Sequence, residues 1–434
     1  MLARSCPALL VVCSVVACLA QSATSLLFAA EPSRMNRSAS FTPADWPAWR
    51  GPLGTGVAVA DQKPPLRWSS TENVLWKAEV PGRGHSSPTV MGETVFLATA
   101  EEDKGLQAVL CYDRETGKLL WRNDVHVGGL DTKGNKKTTQ ASSTVACDGE
   151  RLYINFLNRD AIYTSALTLD GKLVWQTRVS DFKTHQGFGS SPTLYDKYVY
   201  VTTDSPAGGV VAALDRKSGE ILWQVTRPTE ANYASAQVYE LLGKTQVLVQ
   251  GCGLVTSFDP ATGDKLWETE GATVECVTSI VTDGERVFVS GGYPRNHVQA
   301  IVADGSKKTA WENKIRVYVP SMVCHNGYLY AVQDGGVAMC WKSDTGEEMW
   351  KERIGGTYSA SLVLVGDKLF ATSEEGKTII FKADPTKYEQ IGENTLGNEA
   401  YATPSICGGR IYHRVVETTD GKRQEWLYCL GEKE

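Results

Sequence analysis

The chain has 434 residues, with 44 Lys+Arg against 50 Asp+Glu, and a formal net charge of −6. Its 42% apolar and 22% charged residues make a globular composition and exclude disordered and collagen-like classes. The mildly acidic balance gives no electrostatic reason to expect nucleic acid or an anionic membrane as partner, and 41 glycines with 12 tryptophans favour tight turns and repeated anchors over long helices.

Residues 1–30 carry one charge, Arg4, followed by an apolar run from Ala8 to Ala20 that is too short to span a bilayer. A basic start, a short apolar stretch and small residues near its end describe a secretory signal peptide. The cleavage point stays open among Ala20, Ala23 and the Ala29-Ala30 pair. Val15-Val16-Ala17-Cys18 also resembles, loosely, a lipobox, so a lipid on Cys18 or an uncleaved anchor is the alternative. The protein is expected to be exported, periplasmic or extracellular, with Cys18 as its one route to a membrane. Residues 31–70, containing Pro and Ser, are expected to wrap the folded body as coil.

From Val74 onward one phrase returns. Trp76, Trp121, Trp175, Trp223, Trp267, Trp311 and Trp350 stand 39 to 54 residues apart. Asp113 to Trp121 reads Asp, two residues, Thr116-Gly117-Lys118, two apolar residues and the tryptophan. Asp215 to Trp223 repeats it with Ser218-Gly219, and Asp259 to Trp267 with Thr262-Gly263. The stretch before Trp350 keeps Thr345-Gly346 but has Lys342 in place of Asp, and those before Trp175 and Trp311 use Asp170-Gly171 and Asp304-Gly305. Asp holds its own backbone in a turn, Thr or Ser adds a second local bond, and Gly takes the positive φ of a bulged hairpin. The next strand then delivers one large aromatic at a fixed depth, so the seven tryptophans are docking anchors between units.

Upstream of each phrase lie further strand-like runs, as in Ser86-Ser87-Pro88-Thr89-Val90, a turn at Gly92-Glu93, then Val95-Phe96-Leu97. Each unit is therefore four short strands, the signature of a propeller blade. Units begin near His85, Gln140, Gly189, Tyr233, Glu275, Val317, Tyr358 and Tyr401, which makes eight. The last unit lacks a fourth strand, while Asn73 to Lys77 is a strand without a unit. The spacing predicts an all-β, eight-bladed propeller of four-stranded antiparallel blades over 71–434, closed by its N-terminal strand. Cys111, Cys147, Cys252, Cys276, Cys324, Cys340, Cys407 and Cys429 are scattered and form no C-x-x-C, so they read as buried small hydrophobes with one or two disulfides.

The D-x-x-T-G-x-x-x-W phrase resembles the tryptophan-docking motif of the PQQ-like (quinoprotein-type) propeller repeat, over nearly the whole mature chain. Asp45-Trp46-Pro47-Ala48-Trp49-Arg50-Gly51 also looks like the opening of secreted PQQ-like repeat proteins of planctomycete-type bacteria. Two branches share the repeat: PQQ-dependent alcohol dehydrogenases, and non-enzymatic propellers typified by BamB of the outer-membrane assembly machinery. The dehydrogenase branch implies a vicinal cysteine disulfide, a calcium or lanthanide on carboxylate and Asn ligands, and an Asp base. No Cys-Cys pair occurs here, no metal-binding trio is recognisable, and Asp113, Asp215 and Asp259 are explained by their turns. Gly84-His85-Ser86 is followed by Ser87-Pro88 and is no nucleophile elbow; Gly187-Phe188-Gly189 lacks the context of a dinucleotide site; no H-E-x-x-H occurs.

No catalytic residue and no metal ligand is assigned. The expected function is that of a non-catalytic binding or assembly scaffold without cofactor, with a divergent quinoprotein alcohol dehydrogenase using PQQ and calcium as the alternative. The entry loops of a propeller open on one mouth of its channel. Aligning the units there brings together His85, Gln140, Tyr233, Glu275, Tyr358 and Tyr401 as a candidate site for a protein, peptide or small-molecule ligand, with Glu275 placed to receive a cationic group. His185, His325 and His413 are expected at the surface or in satisfied packing, and Lys133 to Lys137 on a solvated face.

Overall fold

The structure, a computed structural model, describes Met1 and residues 41–59, 62–131 and 133–433; the expected leader and Cys18 lie outside the described residues. Eight four-stranded antiparallel sheets make up the fold, and among the described residues the only helical element is the single turn Glu102–Lys104. Blade 1 is Thr89–Met91, Thr94–Glu101, Leu106–Asp113 and Leu119–Val127, from the channel outward. Blades 2 to 7 follow at 146–181, 193–227, 237–270, 281–313, 323–353 and 363–395.

Blade 8 joins the two ends of the chain. Ser405–Cys407, Arg410–Thr419 and Lys422–Leu430 supply three strands and Val74–Val80 the outermost fourth, with Trp76 opposite Cys429 and Lys77 opposite Tyr428. Middle strands such as Thr94–Glu101 are buried on both faces, because each blade is covered by a neighbour on either side. Outer strands alternate buried and exposed, as in Ile221–Arg227, because one of their faces meets water.

The repeated phrase works as its chemistry dictates. Asp113 Oδ1 accepts the N–H groups of Glu115 and Thr116 at 3.1 and 2.8 Å and the Thr116 hydroxyl at 2.7 Å, and Gly117 follows at φ 70°. The Trp76 indole of blade 8 lies on that glycine, where a Cβ would stand 2.5 Å from the ring, and donates to Arg114 O at 2.8 Å. Trp121, Trp175, Trp223, Trp311 and Trp350 donate in the same way to Leu169, Arg216, Pro260, Ser343 and Asp384 of the next blade. Trp267 departs from the pattern. The irregular Asp304-Gly305 turn leaves it to donate to Gln246 Oε1 within its own blade, at 2.8 Å.

Eight blades carry seven docking tryptophans, and blade 7 is the exception. Gly392 stands opposite Ile380, as Trp350 stands opposite Cys340 in blade 6. The chain fills this gap from its N-terminal segment. Leu66 O passes 3.1 Å from where a Gly392 Cβ would be, Asn394 holds Leu66 O and Trp68 N–H, and buried Trp68 joins the core between blades 7 and 8. Residues 44–58 instead turn into the channel. Trp46 pairs with Val90 and Val57 with Leu364, both on innermost strands, and Cys147 N–H donates to Pro47 O.

The eight cysteines beyond the leader are all free. The expected disulfides do not form among the described residues, because these thiols occupy separate positions through the blades, six of them buried.

Candidate functional site

Residues 44–58 plug one end of the channel. Arg50, 1% exposed, donates to Leu362 O, Thr55 O and Met322 O at 2.8, 2.8 and 2.5 Å, which ties the segment to blades 6 and 7. Burial lowers its pKa to about 10, so the guanidinium keeps its charge at neutral pH. Gly56 lies against it at φ 80°, where a Cβ would be 2.5 Å from the guanidinium carbon. Each innermost strand runs from the open mouth towards this plug, so residues a few positions before Val90, Cys147 and Leu364 surround the remaining space.

That space is a cavity of about 360 Å³ with Trp49 of the plug in its lining, within the range of small-ligand sites. One residue per blade forms its upper tier: His85, Ser142, Gly189, Tyr233, Val277, Val319, Ser359 and Tyr401. Two residues further along each strand is a tier of hydroxyls: Ser87, Thr144, Ser191, Ser235, Ser279, Ser321, Ser361 and Thr403. These link blade to blade. The N–H of Ser87 donates to Thr144 Oγ1 at 3.1 Å, Thr144 to Ser191 Oγ at 3.0 Å, and Ser191 to Ser235 Oγ at 2.8 Å. On the far side Ser279, Ser321 and Ser361 donate to Ser321, Ser361 and Thr403 at 2.9, 3.0 and 2.9 Å. Ser279 Oγ accepts the Trp49 indole N–H at 2.9 Å.

Of the residues aligned from sequence, His85, Tyr233 and Tyr401 line the cavity. The other three do not, because the wall position stands four residues before each innermost strand and these three fall one or two residues short of it. Gln140 and Glu275 lie two residues before the lining positions Ser142 and Val277, and Tyr358 one residue before Ser359. A shift of one crosses to the other face of the strand, and Tyr358, 2% exposed, packs into the core between blades 6 and 7. Glu275 is also buried. It accepts the Tyr318 hydroxyl at 2.9 Å and has His185 Nδ1 at 3.5 Å, so its carboxylate faces protein groups rather than an incoming cation. Gln140 turns its carbonyl to Gln107 Nε2 at 2.8 Å.

Other residues at the site gave no clear signal in sequence. Tyr318 and Trp49 join the walls, and Lys137, expected on a solvated face, reaches over the mouth to Glu374 Oε2 at 2.6 Å. The stretch 133–138 meets 186–188 there, with Asn135 N–H on Gln186 O at 3.2 Å. His185 is part of the site, 3.2 Å from the Tyr233 hydroxyl, whereas His413 is buried with both ring nitrogens unpartnered. The hydroxyl tier was visible as the recurring Ser-Ser-Pro-Thr phrase, whose second serine is the tier position.

His85 and Tyr401 stack with ring centres 4.6 Å apart and 25° between planes. Burial, then Arg414, Arg83 and Arg423, hold the His85 pKa down to about 3, so its imidazole is neutral and its buried Nε2 has no partner. Burial and Glu275 push the Tyr233 phenol up, and burial does the same to Tyr401. Among the described residues no Asp or Glu lines the cavity. Among the described residues no three His, Cys, Asp or Glu side chains are grouped to hold a metal.

Residues 51–156 and 106–352 match the family described as outer membrane protein assembly factor BamB. The protein of that name from Yersinia pestis is 25% identical over 281 residues, covering 62% of this chain and 66% of its own length. The chain thus spans about two thirds of that relative. Among solved structures, BamB from Moraxella catarrhalis aligns with a TM-score of 0.58 at 15% identity, over 82% of this chain and 99% of that one. Quinohemoprotein alcohol dehydrogenase from Comamonas testosteroni aligns at 0.62 and 14%, over 92% and 82%. At such identities the structural likenesses establish the fold and leave function to the site. With its eight docked blades and a match over residues 51–352, the chain belongs to the BamB family of PQQ-like repeat propellers.

Proposed function

We propose that this protein is an exported, non-catalytic binding scaffold of the BamB type that receives a ligand or partner segment at the unplugged end of its channel. The observation that carries the reading is the composition of the cavity: stacked aromatic walls and a hydroxyl tier, with no carboxylate on the lining. A quinone held through calcium or a lanthanide needs hard oxygen ligands at the cavity. Carboxylates behind the wall are engaged by protein groups, Glu275 by Tyr318 and Glu374 by Lys137 and Ser359. The lining therefore does not fit a metal-bound quinone, and no oxidation step is derived through one.

Two measurements test the reading. Purified protein supplied with PQQ, calcium or a lanthanide and an artificial electron acceptor should show no quinone-dependent alcohol turnover; sustained turnover would establish the dehydrogenase reading instead. The combined variant His85→Ala, Tyr233→Ala, Tyr401→Ala should lose a partner identified by crosslinking to the wild type, while melting within a few degrees of it. Equal capture by both proteins would move the binding site off the channel mouth.

A further inference from the structure

The hydroxyl tier carries more information than its role in joining blades. Thr144, Ser191, Ser235, Ser361 and Thr403 line the cavity, and each is more than nine-tenths buried. Each oxygen already accepts one main-chain N–H from the preceding blade, which leaves on each its O–H donor and one further lone pair. Among the described residues none of these five O–H groups meets an acceptor, and none of the charged groups on the lining is anionic. A buried donor without an acceptor is destabilising. Five of them converging on one space call for an occupant rich in acceptors.

We propose that this tier is the recognition site for a carboxylate, presented by a ligand whose apolar or aromatic body lies between Trp49, Tyr318 and the stacked His85–Tyr401 pair. This deepens the scaffold reading above and rests on it. O–H donors to an ionised oxygen make short, strong hydrogen bonds, and a ring of neutral donors suits a single negative charge. A phosphate dianion would call for Arg or free Lys on the wall, and among the described residues the lining holds Lys137 alone, paired with Glu374. Cavity size admits either a small organic acid or the last residues of a polypeptide, and both present the same carboxylate. The polarity is the reverse of the cation expected from Glu275 in the sequence, because that side chain faces Tyr318 and His185.

The test compares ligands first, so that it does not depend on a variant that fails to fold. Titration calorimetry on the full mature chain would use 3-phenylpropanoate and 3-phenylpropanamide, N-acetyl-Ala-Phe with a free or amidated C-terminus, and phenyl phosphate. Both acids should bind at least tenfold tighter than their amides, and phenyl phosphate more weakly than the acids. The tighter of the two acids identifies whether the source is a small molecule or a chain end. Thr403→Val should weaken the acids about tenfold and leave the amides unchanged, and Thr403→Ser should restore binding. Equal binding of acid and amide would overturn the carboxylate assignment while leaving a binding mouth in place. Absence of binding by every probe would overturn it together with the mouth as a site for such ligands, and preference for phenyl phosphate would replace carboxylate by phosphate.

Discussion

At the scale of single residues, the docking glycines separate two effects that a sequence shows as one letter. Gly117 and Gly92 both have positive φ, 70° and 54°, but a Cβ at Gly117 would enter the Trp76 ring while one at Gly92 meets nothing within 4 Å. Gly92→Ala should therefore cost about 1 kcal/mol for conformation alone, and Gly117→Ala a further ~1–3 kcal/mol for the forced repacking. Urea denaturation of the two variants checks the order, and equal costs would show that the indole yields freely. Buried histidines set a second expectation. Desolvation holds His413 and His126 down to about 4, and desolvation with nearby arginines holds His85 to about 3. Below the ordinary value of 6.5 the unfolded chain takes up protons that the folded chain refuses. Stability is thus full above pH 6.5 and falls as the pH drops towards 4, by roughly 1.4 kcal/mol per pH unit for each such histidine. His413→Leu should flatten that slope with little change above pH 7, as read by melting curves from pH 4 to 8.

At the scale of strands and turns, the missing eighth anchor shows how one element compensates for another. Gly392 leaves a groove on blade 7 that Trp68 and the Leu66 backbone occupy from outside the repeat. Restoring the consensus by Gly392→Trp should displace residues 62–70 rather than strengthen the blade. Faster tryptic cleavage after Arg67 is the expected readout; unchanged cleavage would mean that the segment is held by its other contacts. Trp223→Ala, which removes a resident anchor, should cost about 3–5 kcal/mol. The anchors were legible in sequence because Asp, Thr and Gly each do one local job at a fixed offset. The mouth was less so. Its side chains are set by the register of each innermost strand, where a difference of one position leaves Tyr358 in the core and Ser359 on the wall. Tyr401 and His85 were found because each stands four residues before its innermost strand, where the wall lies, whereas Trp49 comes from a segment with no repeat to align.

At the scale of the whole molecule, the ring has no self-contained eighth blade. Deleting residues through Val80 removes the outermost strand of blade 8, the Trp76 contact with blade 1 and the plug together. The edge of Lys422–Leu430 would then be bare, and size-exclusion chromatography should show aggregation with loss of a single cooperative melt. A monomer melting like the full chain would show that seven blades and a half suffice. The eight-bladed count was readable because the two leftover strands fit each other, while the course of 44–58 through the channel was not, since it depends on contacts such as Arg50 with Leu362, 312 positions away. That separation also has a consequence in time. A chain is made from its N-terminus, so the segment that closes the ring and floors the channel is the first to emerge. At about 5–20 residues per second, Trp68 is made on the order of a minute before blades 7 and 8 exist, whereas Trp46 and Trp76 have partners on blade 1. Closing the ring thus means pairing Trp76 with Cys429 across nearly the whole chain, a long-range contact of the kind that forms slowly.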